Sequence, residues 1–465
     1  MKQVLILAAF LSSSAAMADD PPGIVWEKTY GDFTRFHAIC AMQDGTWMAA
    51  GSGAAGDFCR IDGTGNVIQA IELPFTYSDI YAIEPLPDGG AIATGWAGST
   101  WDLLVVRLTS AGEIAWTRLY GLTYKNETGR DVEPLSDGGY AVCGYREQDG
   151  LQNQAWILRM DSSGDTLWTR TLGEANNDYA FGVESSSDGI AVACTARLTS
   201  PSSWGVLACY DLNGELLCLH TYSQIPSHHG LCDVCQGPDN GFMVITQYFY
   251  LDNYIVCLDQ SCQYLWEQVS PENAFNRSWR VRPTADHGCV IARQNDYYYN
   301  PDPPYDHDDW NAALSRYDSE GNELWSLSLE RPDSCFFHDV TQLPTGGYIA
   351  AGRIRTPAES GYIVRFSPET GIEKPVVPSG LILEACVPNP ATGGFDLAWS
   401  SGLAETSAMR VYDVSGRLRL DRDLGLMPAG RHSTQIDLQD LPSGCYLVVV
   451  SCGSERASTR LIKLP

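Results

Sequence analysis

The chain has 465 residues, of which 30 are basic and 57 acidic, for a formal net charge of −27. A surface of that sign repels nucleic acid and anionic membrane, and the length leaves room for two or more domains. The excess sits ahead of Leu381, because residues 381–465 hold 9 acidic and 8 basic side chains.

The first element has the form of a secretory signal. Lys2 supplies the positive charge, Val4 to Leu11 the short apolar run, and Ala16-Met17-Ala18 the small-residue cleavage site. Its removal leaves 29 basic against 57 acidic residues, or −28. No later stretch reaches about 18 consecutive apolar residues, so no transmembrane segment is expected.

Residues 19–373 then read as one repeated unit. Val25-Trp26-Glu27-Lys28-Thr29-Tyr30 predicts a lone opening strand. Turns follow at Asp44-Gly45, Asp88-Gly89-Gly90, Asp137-Gly138-Gly139, Asp188-Gly189, Asp239-Asn240-Gly241, Asp286-His287-Gly288 and Thr345-Gly346-Gly347, spaced 44 to 59 residues apart. Short strands at that period predict radial blades, since one blade cannot bury both its faces. Five residues before each turn stands a β-branched side chain: Ile39, Ile83, Val132, Val183, Val234, Val281 and Val340. That column predicts an inward strand. Seven residues after the turn, small residues dominate (Gly51, Gly95, Gly144, Gly352), as where a second backbone comes close.

A second turn, Asp-x-x-Gly, follows the third strand, with a column of Arg60, Arg107, Arg159, Cys209, Cys257, Arg316 and Arg365 just ahead of it. Arginines such as Arg107, Arg159, Arg316 and Arg365 are expected to be structural, paired with turn carboxylates such as Asp88 and Asp137. The fourth strand opens with Trp116, Trp168, Trp266 or Trp325, and the seventh repeat lacks such a Trp. The opening strand with Trp26 is therefore expected to complete the last blade and close the ring.

Fifteen cysteines in an exported chain suggest disulfides. Cys143 and Cys194 share one repeat column and Cys209 and Cys257 another, as core fillers would. We expect one to three bridges, with Cys445–Cys452 a cross-hairpin candidate. Two His and a Cys-x-x-Cys lie within His228 to Cys235, but Cys232 and Cys235 fall on one strand, three apart and on opposite faces, which argues against zinc.

Residues 374–380 are a Pro-containing linker. Alternating strands such as Met409–Val414 and Tyr446–Val450 then predict a small β-sandwich over residues 381–465.

Trp116-Thr117-Arg118-Leu119-Tyr120-Gly121, Asp137-Gly138-Gly139-Tyr140 and Asp161-Ser162-Ser163-Gly164 resemble the repeats of secreted bacterial β-propellers. The tail resembles the type A sorting domain of the type IX secretion system and the related immunoglobulin-like FlgD domain. The resemblance is carried by Pro388-Asn389-Pro390, Val411-Tyr412-Asp413-Val414-Ser415-Gly416-Arg417, Pro428-Ala429-Gly430, Leu441-Pro442-Ser443-Gly444-Cys445-Tyr446 and the closing Thr459 to Leu464. It implies export to the outer surface of a Gram-negative bacterium or beyond, with the secretion machinery as a partner.

The expected fold is all-β: a seven-bladed β-propeller closed by the N-terminal strand, followed by a small immunoglobulin-like β-sandwich. Its Asp-Gly-Gly and Asp-x-x-Gly turns share one rim. The other rim carries the long loops, and function is expected there. Candidate ligand contacts on that rim are Trp96, Trp101, Tyr248, Tyr250, Tyr297, Tyr298, Tyr299, Tyr305 and Trp310, whose rings suit a glycan or a peptide. Carboxylates in Asn295–Trp310 could hold calcium, but no calcium-loop spacing is present. No cofactor and no catalytic set is indicated. The sialidase Asp-box and the tryptophan-docking repeat of pyrroloquinoline quinone dehydrogenases fit Asp161–Trp168 only with altered Asp-to-Gly spacing. The expected role is recognition of a glycan, peptide or other surface ligand. The alternatives are a glycan-acting hydrolase or lyase, and a structural surface component.

Overall fold

The computed structural model describes residues 21–464 except 122–124, 149–151, 174–176, 197–203, 222–229, 248–253, 270–276, 297–309, 332, 357, 370–381, 388–390, 402–404, 414–416, 428–429, 439–440 and 453–454. The signal-like residues 1–18 lie outside it. Two compact units divide the chain, residues 1–371 and 372–465.

Among the described residues the first unit holds seven four-stranded antiparallel sheets. Blade 1 comprises Phe33–Ala41, Trp47–Gly53, Phe58–Ile61 and Val67–Ile71; blade 2, Ser78–Pro85, Ala91–Ala97, Asp102–Leu108 and Ile114–Tyr120. Blade 3 comprises Glu127–Pro134, Tyr140–Gln148, Gln152–Met160 and Thr166–Leu172; blade 4, Tyr179–Ser185, Gly189–Ala196, Trp204–Asp211 and Leu216–Thr221. Blade 5 comprises Gly230–Gln236, Phe242–Gln247, Tyr254–Leu258 and Tyr264–Val269; blade 6, Arg277–Pro283, Cys289–Asp296, Trp310–Tyr317 and Glu323–Leu329. Blade 7 takes Cys335–Gln342, Tyr348–Thr356 and Ala358–Phe366, and Ile24–Tyr30 pairs antiparallel with the last of these. The first strand of every blade packs on the first strand of the next, and blade 7 on blade 1, so the sheets form a closed propeller with first strands innermost.

The sequence columns have physical causes. The β-branched residue five before the turn is buried in all seven blades. In three blades its backbone also takes a clamp from the preceding blade. Asp131, Asp233 and Asp339 accept the N–H groups of Val183, Val281 and Ile39 at 3.0, 2.8 and 3.0 Å. Seven residues after the turn, a methyl group on Gly144 would collide with the carbonyl oxygen of Thr128 on the inner strand. Four column arginines pair with their own blade's turn: Arg60 with Asp44, Arg107 with Asp88, Arg159 with Asp137 and Arg316 with Asp286. Arg365 does not, because Thr345 replaces the acid. It donates instead to the Gly63 carbonyl at 2.9 Å and lies over the Trp47 ring.

A rule between blades also emerges. The fourth-strand Trp covers the glycine of the next blade's Asp-x-x-Gly turn: Trp26 on Gly65, Trp116 on Gly164, Trp168 on Gly214 and Trp266 on Gly321. Three of these indoles donate to a carbonyl of that turn, at Gly63, Leu212 and Ser319.

The second unit holds one sheet of Ile382–Val387, Gly394–Ser401 and Gly430–Asp437 and another of Glu405–Asp413, Leu418–Met427, Gly444–Cys452 and Glu455–Lys463. Phe395, Leu397, Trp399 and Ile436 from the first meet Met409, Val411, Val448, Val450 and Leu461 from the second in one core. The cross-hairpin disulfide expected between Cys445 and Cys452 does not form, and both thiols are free. They stand at opposite ends of a single strand, and at about 3.4 Å per residue that separation is far beyond a disulfide's reach.

Candidate functional site

Each inner strand carries a one-residue bulge at the same place in the repeat, seven residues before the turn. The bulged residues are His37, Tyr81, Arg130, Phe181, Cys232, Trp279 and His338. A bulge leaves its residue out of the ladder and re-aims its side chain. Here neighbouring blades aim at one another. The His37 ring lies 4.8 Å from His338 and 4.7 Å from Tyr81. The Arg130 guanidinium lies 4.5 Å from the Tyr81 ring and 6.0 Å from Phe181. Blades 7, 1, 2, 3 and 4 thus build one continuous arc at the loop-side mouth of the central channel.

A second tier stands outside this arc. Arg35 donates to Asp79 at 2.8 Å, and His37 Nε2 lies 3.3 Å from the same carboxylate oxygen. With Nε2–H donating, Nδ1 is the acceptor of a neutral imidazole. Arg353 lies over the Phe336 ring at 4.2 Å and pairs with Glu359 at 2.5 Å. Tyr145 meets Tyr179 edge-on at 5.1 Å and lies beside Arg130.

Burial lowers the pKa of His37, against the pull of Asp79 and with Arg35 and Arg130 adding to the fall. His338 falls further, by burial and then by the neighbouring His37, Arg353 and Arg35. Desolvation works against the Asp79 carboxylate, yet His37 and Arg35 hold it below the usual range. The mouth therefore carries three permanent cations, Arg35, Arg130 and Arg353, against the carboxylates of Asp79 and Glu359. Arg130 has no carboxylate partner among the described residues. The Nε atoms of Arg35, Arg130 and Arg353 are buried with no hydrogen-bond partner among the described residues.

Deeper in, two arginines of blade 6 cross the channel. Arg280 reaches Asp131 at 3.0 Å and Asp233 at 3.3 Å, while Arg282 reaches Glu84 at 2.6 Å and Asp339 at 3.1 Å. Toward the turn side carboxylates outnumber them. Burial, then mutual repulsion within the set Glu84, Glu133 and Glu184, pushes Glu133 and Glu184 above the ordinary carboxylate range. Arginines thus gather at the loop-side mouth and buried carboxyl groups at the other end.

Of the ligand contacts expected from the sequence, Trp96 and Trp101 stack on each other with ring centroids 4.8 Å apart. Trp101 is 48% exposed and adopts a left-handed φ of 54°. Trp310 packs on Phe336 at 5.6 Å, joining the blade 7 side of the mouth. Tyr248, Tyr250, Tyr297, Tyr298, Tyr299 and Tyr305 lie outside the described residues, as do His228 and His229. The inner-strand residues His37, Asp79, Arg130 and His338 were not expected from the sequence, in which the aromatic loops carry the stronger signal. For His37, Arg130 and His338 the signal was a polar residue interrupting an apolar strand at a fixed offset from the turn, an offset that Asp79 does not share.

Two features lie away from this mouth. A half-open, largely apolar groove of about 670 Å³ opens on the turn rim among Met42, Trp47, Leu86, Leu343 and Arg365. Among the described residues, Cys209, Cys218 and Cys262 are a group whose donor atoms lie close enough to hold a metal ion.

Residues 386–464 match a family described as the secretion system C-terminal sorting domain. Such a tail marks proteins delivered by the type IX secretion system to the cell surface or beyond it. No helix among the described residues is long and apolar enough to cross a membrane. No curated protein matches the chain. Among solved structures, a protein of unknown function from Bacteroides caccae is 14% identical over 61% of this chain and 93% of its own, with a TM-score of 0.40. Puromycin hydrolase is 13% identical over 83% of this chain and 62% of its own, with a TM-score of 0.48. YCF48 from Cyanidioschyzon merolae is 9% identical over 73% and 98%, with a TM-score of 0.46.

Proposed function

We propose that this exported chain is a recognition protein whose propeller holds an anionic ligand, such as an acidic glycan, at the loop-side mouth of its channel. The observation that supports this reading is the meeting of Arg35, Arg130 and Arg353 on a protein of net charge −27, each with a buried Nε unpartnered among the described residues. A carboxylate or sulfate on the ligand would complete those guanidinium groups, since charge-assisted pairs to arginine are strong and directional. The walls of Tyr81, Tyr145, Phe181, Trp96 and Trp101 offer flat faces to a sugar ring or an aromatic side chain.

Calorimetry with uronic-acid oligosaccharides, and with their neutral counterparts, tests this on the full chain. Tight binding of the acidic series only, weakened about ten-fold or more by Arg130→Ala, is the expected result, as loss of one charge-assisted contact is worth roughly 1.5–3 kcal/mol. Equal binding of both series, or indifference to Arg130→Ala, would remove the basis for an anion site.

A second reading rests on the His37–Asp79 pair, an imidazole oriented by a carboxylate beside cations that could neutralise a uronate. In a lyase, Nδ1 of neutral His37 would take the proton next to the sugar carboxylate, a ring double bond would form as the C–O bond to the leaving sugar breaks, and the proton held by His37 would pass to the departing oxygen. Formation of an unsaturated product from an acidic polysaccharide, lost in His37→Ala, would favour this reading over binding alone.

A further inference from the structure

Three separate repeat columns change to cysteine at one junction between blades. Cys209 takes the column arginine's place in blade 4. Cys218 takes the place of the fourth-strand Trp, directly opposite Cys209 across the ladder, where Arg159 faces Trp168 in blade 3. Cys262 takes the place of the Asp-x-x-Gly glycine in blade 5 and keeps its left-handed backbone, with φ at 60°. A non-glycine residue there is strained, so packing alone would favour the glycine kept at Gly164, Gly214 and Gly321. The Trp-on-glycine contact between blades has become thiol on thiol. Cys262 Sγ lies 3.1 Å from Cys209 Sγ and 3.1 Å from Cys218 Sγ, so all three sulfurs converge.

An imidazole stands at the same junction, outside the sulfur cluster. Two residues after the fourth-strand Trp, Lys28, Arg118 and Arg170 lay their side chains against the next blade's turn glycine. His220 holds that position in blade 4, and its imidazole acts electrostatically on the Cys218 sulfur. Three convergent thiols are soft ligands that suit a tetrahedral zinc ion, which takes its fourth ligand from outside the trio.

We propose that Cys209, Cys218 and Cys262 form a structural zinc-class metal site that ties blade 4 to blade 5. A disulfide would join two of the sulfurs and leave the third pressed against the bond, whereas a metal ion uses all three. Binding releases the thiol protons and the divalent ion offsets most of the thiolate charge, so the metal stabilises the folded ring.

The test uses the full chain, purified without chelator, with elemental analysis for zinc and the visible spectrum after exchange with Co²⁺. The expected result is about one metal per chain and a tetrahedral thiolate–cobalt spectrum. Cys218→Ser should abolish both, and Cys194→Ala, a buried thiol elsewhere, should change neither. Because a serine variant can lose metal by misfolding, a reversion to the repeat pattern, Cys209→Arg with Cys218→Trp and Cys262→Gly, serves as the control. It should keep the far-ultraviolet spectrum and lose the metal. Equal metal content in wild type and reversion overturns the proposal, and so does mass spectrometry showing a disulfide within the trio.

Discussion

At the scale of single residues, burial of excess charge sets how the propeller responds to pH. Glu133 and Glu184 are raised by burial and by neighbouring carboxylates, so the folded chain holds protons that the unfolded chain has released. Stability from these groups is full below about pH 4.5, the unfolded value, and is lost as pH rises toward the raised folded values. His37 and His338 work in the opposite sense. Their folded values are lowered, so stability falls as pH drops below about 6.5. Melting temperatures followed from about pH 5 to about pH 9 should therefore pass through a maximum. Glu184→Gln, which cannot ionise, should flatten the alkaline limb by about 1 kcal/mol or more, and an unchanged limb would show that Glu184 is ionised in the folded state. The column arginines carry a different lesson. Arg159 is 1% exposed beside an Asp137 that is 47% exposed, so the pair's electrostatic worth is screened and the guanidinium acts mainly through buried bonds to carbonyls.

At the scale of the strand, the inner bulge connects repeat regularity with the site. It bends every first strand, brings the second strand's Gly144 against Thr128, and turns Arg130 toward the channel in the same few residues. Two glycines of blade 3 should then respond differently to alanine. Gly144→Ala meets backbone from a paired strand and should cost about 1–3 kcal/mol through overpacking. Gly138→Ala has open space around it but a φ of 83°, and should cost about 1 kcal/mol from backbone conformation alone. Urea midpoints would rank the two, and the reverse order would mean that the inner strand yields more easily than a bulge-locked backbone should. The columns were legible in the sequence because every blade solves the same packing problem. The bulge was not, because a residue set out of the ladder obeys no hydrophobic period.

For the whole molecule, closure is the organising constraint. Ile24–Tyr30 covers the outer edge of Ala358–Phe366, and its Trp26 reaches the turn of blade 1 as other tryptophans reach theirs. Tyr30 donates to the Gly65 carbonyl at 2.9 Å, a further bond from blade 7 to blade 1. A variant lacking residues 1–31 should melt at a lower temperature and self-associate, because an uncovered strand edge pairs with other chains. Light scattering and thermal melting would detect this; a monomer of unchanged stability would mean that blade 7 needs no fourth strand. The arginines of blade 6 add bracing across the ring, with Arg282 joined to Glu84 nearly 200 residues earlier in the chain (198 apart).

By itself the sequence determined the strand repeat, the two kinds of turn, the opening strand's closing role and the export tail. Those are written in local spacing and in residues such as Gly138 and Trp168 whose roles recur from blade to blade. Only the tertiary structure decided which unlike residues meet. Ring closure brings His338 of the last blade to His37 of the first, and the inner bulges set Arg130 between Tyr81 and Phe181. The same holds at the blade junction, where Cys218 meets Cys262 in place of tryptophan on glycine. Sequence periodicity describes what the blades share, whereas a site is made of what differs between neighbours, and the closed ring sets those differences side by side.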